Sequence, residues 1–146
     1  MKKIIFILII ILLLPININC QEEKMDQKTQ YGILLSTDNV VYQSGEIITI
    51  RLKVFNYSAE TIDFHFNSSQ RYDFIIEDEN GNEVWRWSEG RMFAQMLGEE
   101  ILGPTNTEIL YTAKYSDKLS MGYYKVTGVL VAQEKPMSGS IIIEVK

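Results

Sequence analysis

The chain has 146 residues, 46% of them hydrophobic, enough for one domain with its own core. Its 14 Lys and Arg stand against 19 Asp and Glu, a net charge of −5, and an acidic balance excludes nucleic acid as a partner, because phosphate binding needs basic surface. One cysteine and one histidine exclude an internal disulfide framework and a Cys/His zinc site.

Met1-Lys2-Lys3 is a short basic start, and Ile4 to Leu14 is an unbroken apolar run of eleven residues. That is too short to span a bilayer and suits a signal-peptide core, which gives residues 1–19 as the expected leader. Cys20 follows Pro15 and has a natural reading as a lipid acceptor, although Asn17-Ile18-Asn19 lacks the small residues such processing prefers. Ordinary cleavage and an uncleaved anchor are the alternatives. The reading predicts an exported, membrane-anchored lipoprotein of the cell envelope that meets the membrane only through its lipid, since an acidic surface suits anionic headgroups poorly. Residues 20–30 are polar, without apolar period, and read as a flexible tether before a domain over 31–146.

Ile33 to Ser36 begins the first strand, and Val40-Val41-Tyr42 a short second one. Glu46 to Asn56 alternates: Ile48, Ile50, Leu52 and Val54 point one way, Thr49, Arg51 and Lys53 the other. Thr61 to Asn67 repeats the pattern, with Ile62, Phe64 and Phe66 inward and Asp63 and His65 outward. Asn56-Tyr57-Ser58 and Asn67-Ser68-Ser69 fit the glycosylation pattern and are read as turn residues.

Tyr72, Phe74 and Ile76 then alternate with Asp73, Ile75 and Glu77. Asn80-Gly81 suits a two-residue type I′ turn, and Val84-Trp85-Arg86-Trp87 returns as the partner strand, with both tryptophans on one face. Met92 to Leu97 is read as a short strand or one helical turn, and Gly98 to Thr105 as a loop. Thr107 to Tyr115 is a strand, Gly122-Tyr123-Tyr124 opens another with the spacing of a tyrosine corner, and Ser140 to Val145 closes the domain with Ile141, Ile143 and Val145 inward. Eight or nine short strands and no helix after the leader predict an all-β, immunoglobulin-like antiparallel β-sandwich.

The stretch just read also carries a likeness. Gln70, Tyr72-Asp73-Phe74, Asp78, Gly81, Val84-Trp85-Arg86-Trp87-Ser88, Gly90, Phe93 and Gln95 resemble the signature of the intracellular proteinase inhibitor (BsuPI) family. Phe55-Asn56-Tyr57-Ser58, Ile62-Asp63-Phe64, Leu102-Gly103-Pro104, Tyr111 and Gly122-Tyr123-Tyr124 are similar to its flanking segments. The resemblance runs from about residue 33 to 145. It implies a non-catalytic inhibitor of a serine protease, and a cytoplasmic one, against the export signal read above.

Catalytic chemistry finds no foothold. His65 is the lone histidine on an outward strand face, no nucleophile elbow occurs, and the Asx residues at 78–82 are those of a turn rather than a calcium loop. No cofactor and no metal are expected. The candidate partner-binding residues are Arg86, Trp87, Ser88, Glu89, Arg91, Phe93 and Gln95, because aromatic and Arg groups crowd there and are enriched at interface hot spots. The partner would be a subtilisin-type serine protease or another envelope protein. Two readings of Ser88 to Gln95 stay open: a contact surface led by Arg91, or Phe93 and Met96 capping the sandwich while Arg91 pairs with an acid. A structural or assembly module of the envelope, with no protease partner, is the alternative function.

Overall fold

The computed structural model describes residues 30–146, which form ten β-strands and, among the described residues, no helix. The expected leader, Cys20 and the tether up to residue 29 lie outside the described residues. The strands are β1 (Tyr31–Thr37), β2 (Val41–Tyr42), β3 (Ile48–Asn56), β4 (Ile62–Phe66), β5 (Tyr72–Glu77), β6 (Glu83–Arg86), β7 (Gly98–Leu102), β8 (Thr107–Tyr115), β9 (Gly122–Leu130) and β10 (Met137–Val145). β1-β3-β8 form one sheet, β2-β10-β9-β5-β6 the other, and β4-β7 a two-stranded ribbon. Every pairing is antiparallel except the short parallel contact of β2 with β10. This is an immunoglobulin-like sandwich.

The alternation read from the sequence builds its core. Ile48, Ile50 and Leu52 of β3, at most 1% exposed, share one core cluster with Phe74 and Ile76 of β5, both at 0%, while Val54 of β3, at 1%, joins a second. Each such side chain contributes about 1.5–3 kcal/mol by leaving water. Gly128 of β9 lets the layers close: a Cβ there would lie 2.6 Å from Leu35 Cδ1 and 3.1 Å from Leu52 Cδ1. A second apolar cluster, with Ile62, Phe64, Phe66, Leu102 and Leu130, lies under the β4-β7 ribbon. The tyrosine corner is present, with the Tyr124 hydroxyl donating to the Ser120 carbonyl at 3.1 Å.

Asn56 is more than a turn residue. Its side chain is fully buried and donates through Nδ2 to the carbonyls of Glu60 (2.7 Å) and Gly103 (2.9 Å). Its Oδ1 accepts from the Ser58 amide (3.0 Å) and hydroxyl (2.7 Å), so it locks the β3-β4 turn onto the end of β7.

Two expectations are corrected. The β5-β6 hairpin is not a type I′ turn, because Gly81 has φ +80° while Asn80 does not share a positive φ. Gly81 N–H donates to the Asp78 carbonyl at 3.0 Å and Asp78 N–H to the Asn82 carbonyl at 2.9 Å, closing a three-residue loop. The Asp78 carboxylate selects that form by accepting the amides of Asn80 (2.9 Å) and Asn82 (2.8 Å). Residues 98–102, expected in a loop, are strand β7, recruited by antiparallel pairing with β4. The true tip follows at Thr105 and Asn106, with φ of 60° and 59°.

Candidate functional site

The chain leaves the ribbon for the large sheet through residues 67–71 and returns through residues 87–97, so the two connectors run side by side. They are stitched together at Ala94: Ser69 N–H donates to the Ala94 carbonyl at 2.9 Å, and Ala94 N–H donates to Ser69 Oγ at 2.9 Å. Arg71 secures the base. Its Nη1 donates to the Ser68 carbonyl at 2.8 Å, its Nε meets Glu100 Oε1 at 3.1 Å, and its guanidinium lies 4.5 Å over the Phe66 ring.

The loop springs from a buried carboxylate. Asp73 is 5% exposed. Its Oδ1 accepts the amides of Phe74 (2.9 Å) and Ser88 (3.0 Å), and its Oδ2 accepts the Ser88 hydroxyl (2.6 Å) and Arg86 Nη1 (3.3 Å). Four donors on one carboxylate offset its removal from water. Arg86 also forks onto Glu83, at 2.9 Å and 2.5 Å. The fork with Glu83 holds the Arg86 guanidinium above its ordinary range and the Glu83 carboxyl below its own.

Above this base lies a ladder of rings. Tyr111 stacks on Tyr72 (4.6 Å between centroids), Tyr72 on Trp87 (4.4 Å), and Trp87 meets Phe93 (5.9 Å). The Arg91 guanidinium sits 4.4 Å over the Trp87 ring while its Nε donates to the Trp87 carbonyl at 2.7 Å. Burial pushes the Tyr111 phenol up to about 12 and the Tyr72 phenol in the same direction. Trp85 packs against the same core cluster as Tyr72, Trp87 and Tyr111, and lies edge-on to Tyr115 at 5.3 Å.

These contacts sort the candidate residues. Arg86, Trp87 and Ser88 are half-buried and bound to Asp73 or to the ring ladder, and Phe93 is half-buried against Trp87. Glu89, Arg91 and Gln95 are exposed. Arg91 rests on Trp87 rather than on an acid. Residues 91–97 are neither helix nor strand, and they carry Met92, Met96 and Leu97 at 99%, 61% and 81% exposure. Asp73 was missed as a site-builder because strand alternation alone turns it away from the core. Met92 lies inside the expected contact stretch Ser88 to Gln95, but neither period nor motif sets it apart from its neighbours there. A separate cleft of about 270 Å³ opens by the β5-β6 turn, lined by Glu77, Glu79, Tyr123 and Lys125 among others. Its polar groups are already paired, Lys125 with Glu77 at 2.8 Å and Glu79 with the Tyr123 amide at 2.9 Å.

The family model of intracellular proteinase inhibitors, BsuPI, matches residues 35–135, from within β1 to the turn before β10, and so includes both connectors just described. The chain belongs to the BsuPI family. The resemblance read from the hairpin motif is thereby shown, and family membership implies a non-enzymatic role. No curated protein matches the chain. Among solved structures, it is similar to the sporulation control protein Spo0M from Bacillus subtilis, with a TM-score of 0.52 and 14% identity, over 81% of this chain and 50% of that one. It is also similar to the C-terminal domain of Wzt, with a TM-score of 0.50 and 14% identity, over 78% of this chain and 70% of that one. The CARDB domain of a Pyrococcus furiosus protein follows, with a TM-score of 0.46 and 14% identity, over 80% of this chain and 87% of that one. The chain spans half the length of Spo0M. At such identities the likeness to Spo0M and to the Wzt domain shows the sandwich fold alone.

The family is described as intracellular, and that description overturns the exported, lipid-anchored placement expected from Met1 to Cys20. An apolar run of eleven residues fits a buried or interfacial segment as well as a signal-peptide core, so its length did not decide the matter.

Proposed function

We propose that this BsuPI domain is a non-catalytic inhibitor of a subtilisin-type serine endopeptidase, and that it binds through the loop Ser88 to Gln95. The observation that carries the reading is an exposed loop on an unusually well-tied base: Asp73 grips its start through Ser88, Trp87 carries Arg91, and Ser69 holds Ala94 by both backbone groups. A protease turns over flexible segments and is blocked by rigid ones, because a loop already ordered loses little entropy on binding. A standard inhibitor contact covers about 800 Å² on each partner, and this loop with its neighbouring connector 67–71 offers one continuous face for it.

The test is titration of the full chain against a panel of subtilisin-type proteases at fixed substrate. Saturable inhibition, with the inhibitor recovered intact, is the expected result. No inhibition at micromolar concentrations would remove the inhibitor reading and leave only a binding domain of another kind.

A further inference from the structure

We infer that Met92 is the side chain this loop inserts into the primary specificity pocket of the protease, and that the pocket it fits is a deep apolar one. The inference rests on the inhibitor reading above and adds to it the point of attack. Around Met92 the side chains alternate as in an extended strand. Arg91 and Phe93 both turn back onto Trp87, at 4.4 Å and 5.9 Å. Met92 between them points the other way and is 99% exposed. Such a side chain makes no contribution to the core, so a capping role does not account for it.

The backbone on either side is pinned. Before Met92, Arg91 Nε donates to the Trp87 carbonyl at 2.7 Å and Arg91 N–H to the Ser88 carbonyl at 3.1 Å. After it, Ala94 is held by Ser69 through its N–H and its carbonyl, both at 2.9 Å. The result is a short extended segment, braced from behind, with one side chain projecting. A protease binds its substrate in that shape, as an added strand whose alternate side chains enter pockets. Methionine is long, unbranched and apolar, and fills deep hydrophobic pockets of varied outline. A pocket built around a carboxylate would need a free cation at this position, and the nearest guanidinium, that of Arg91, is committed to Trp87.

The experiment compares the full chain with Met92→Gly, Met92→Lys and a remote control, Leu110→Ala, whose side chain is exposed on the outer face of β8. Inhibition constants are measured against subtilisin and trypsin, with melting temperatures in parallel. Met92→Gly is expected to weaken subtilisin inhibition about 30-fold or more, the scale of a central anchor, without change in melting temperature. Met92→Lys is expected to bring trypsin into range, and Leu110→Ala to leave both enzymes as they were. If the unaltered chain inhibits subtilisin and neither Met92 variant changes its behaviour towards either enzyme, the inference is overturned while the inhibitor reading stands. If the unaltered chain inhibits no subtilisin-type protease, both are overturned together.

Discussion

Asp73 is the residue on which the loop depends. Its carboxylate is buried and satisfied by Phe74, Ser88 and Arg86, so Asp73→Ala strands the Phe74 and Ser88 amides and the Ser88 hydroxyl and half-frees an arginine. The expected loss is about 2–4 kcal/mol in denaturant unfolding. Inhibition should weaken with it, which distinguishes a base residue from Met92, where stability and inhibition separate. Ser69→Ala is a gentler change: it removes one acceptor from the Ala94 amide. We expect global stability to fall by less than about 1 kcal/mol, with hydrogen exchange at Ala94 faster by about fivefold. Unchanged exchange would mean that the loop is not braced there. None of this network was legible along the sequence, because its partners are separated by loops. Only Tyr72-Asp73-Phe74 and Trp87-Ser88 showed, as parts of a family likeness rather than as a contact.

At the scale of elements, strands with a clear period of two were read correctly. β3, β4 and β9 alternate because one face is buried, and burial is what writes the pattern. β7 escaped because Gly98-Glu99-Glu100 has no such period; its strand form comes from pairing with β4, a non-local cause. The β5-β6 hairpin was placed correctly but given the wrong turn. A type I′ turn and a three-residue loop both want glycine at positive φ, and the deciding group was the Asp78 side chain, whose carboxyl is held below its ordinary range by the Asn82 side-chain and backbone donors. Gly81 has φ +80°, where a β-branched residue is strained. Gly81→Val should therefore cost about 1–3 kcal/mol by thermal or denaturant unfolding. A change near zero would show that the turn tolerates another form.

Over the whole molecule, the tyrosines set an alkaline limit. Burial raises the Tyr111 phenol from 10.0 to about 12, and Tyr42, Tyr72 and Tyr115 shift the same way, first through burial. In the unfolded chain these phenols lose their protons at lower pH than in the folded one. The stability they contribute is thus complete below pH 10 and is lost as pH rises through about 12. Unfolding free energy measured from pH 9 to 12 should fall, and Tyr111→Phe should flatten that fall. A profile unchanged by Tyr111→Phe would place the alkaline sensitivity elsewhere.

The position of β10 bears on how such a chain is made. It lies between β2 and β9 in the larger sheet and carries Ile143 and Val145 into the core. Until residues 137–145 have been synthesised, β9 presents an open edge and β2 has no partner at all. Most of the pairings join residues far apart in sequence, which makes folding slow relative to helical proteins of this size. A nascent chain halted before β10 therefore holds an unpaired, hydrophobic strand edge, the kind of surface that recruits other chains.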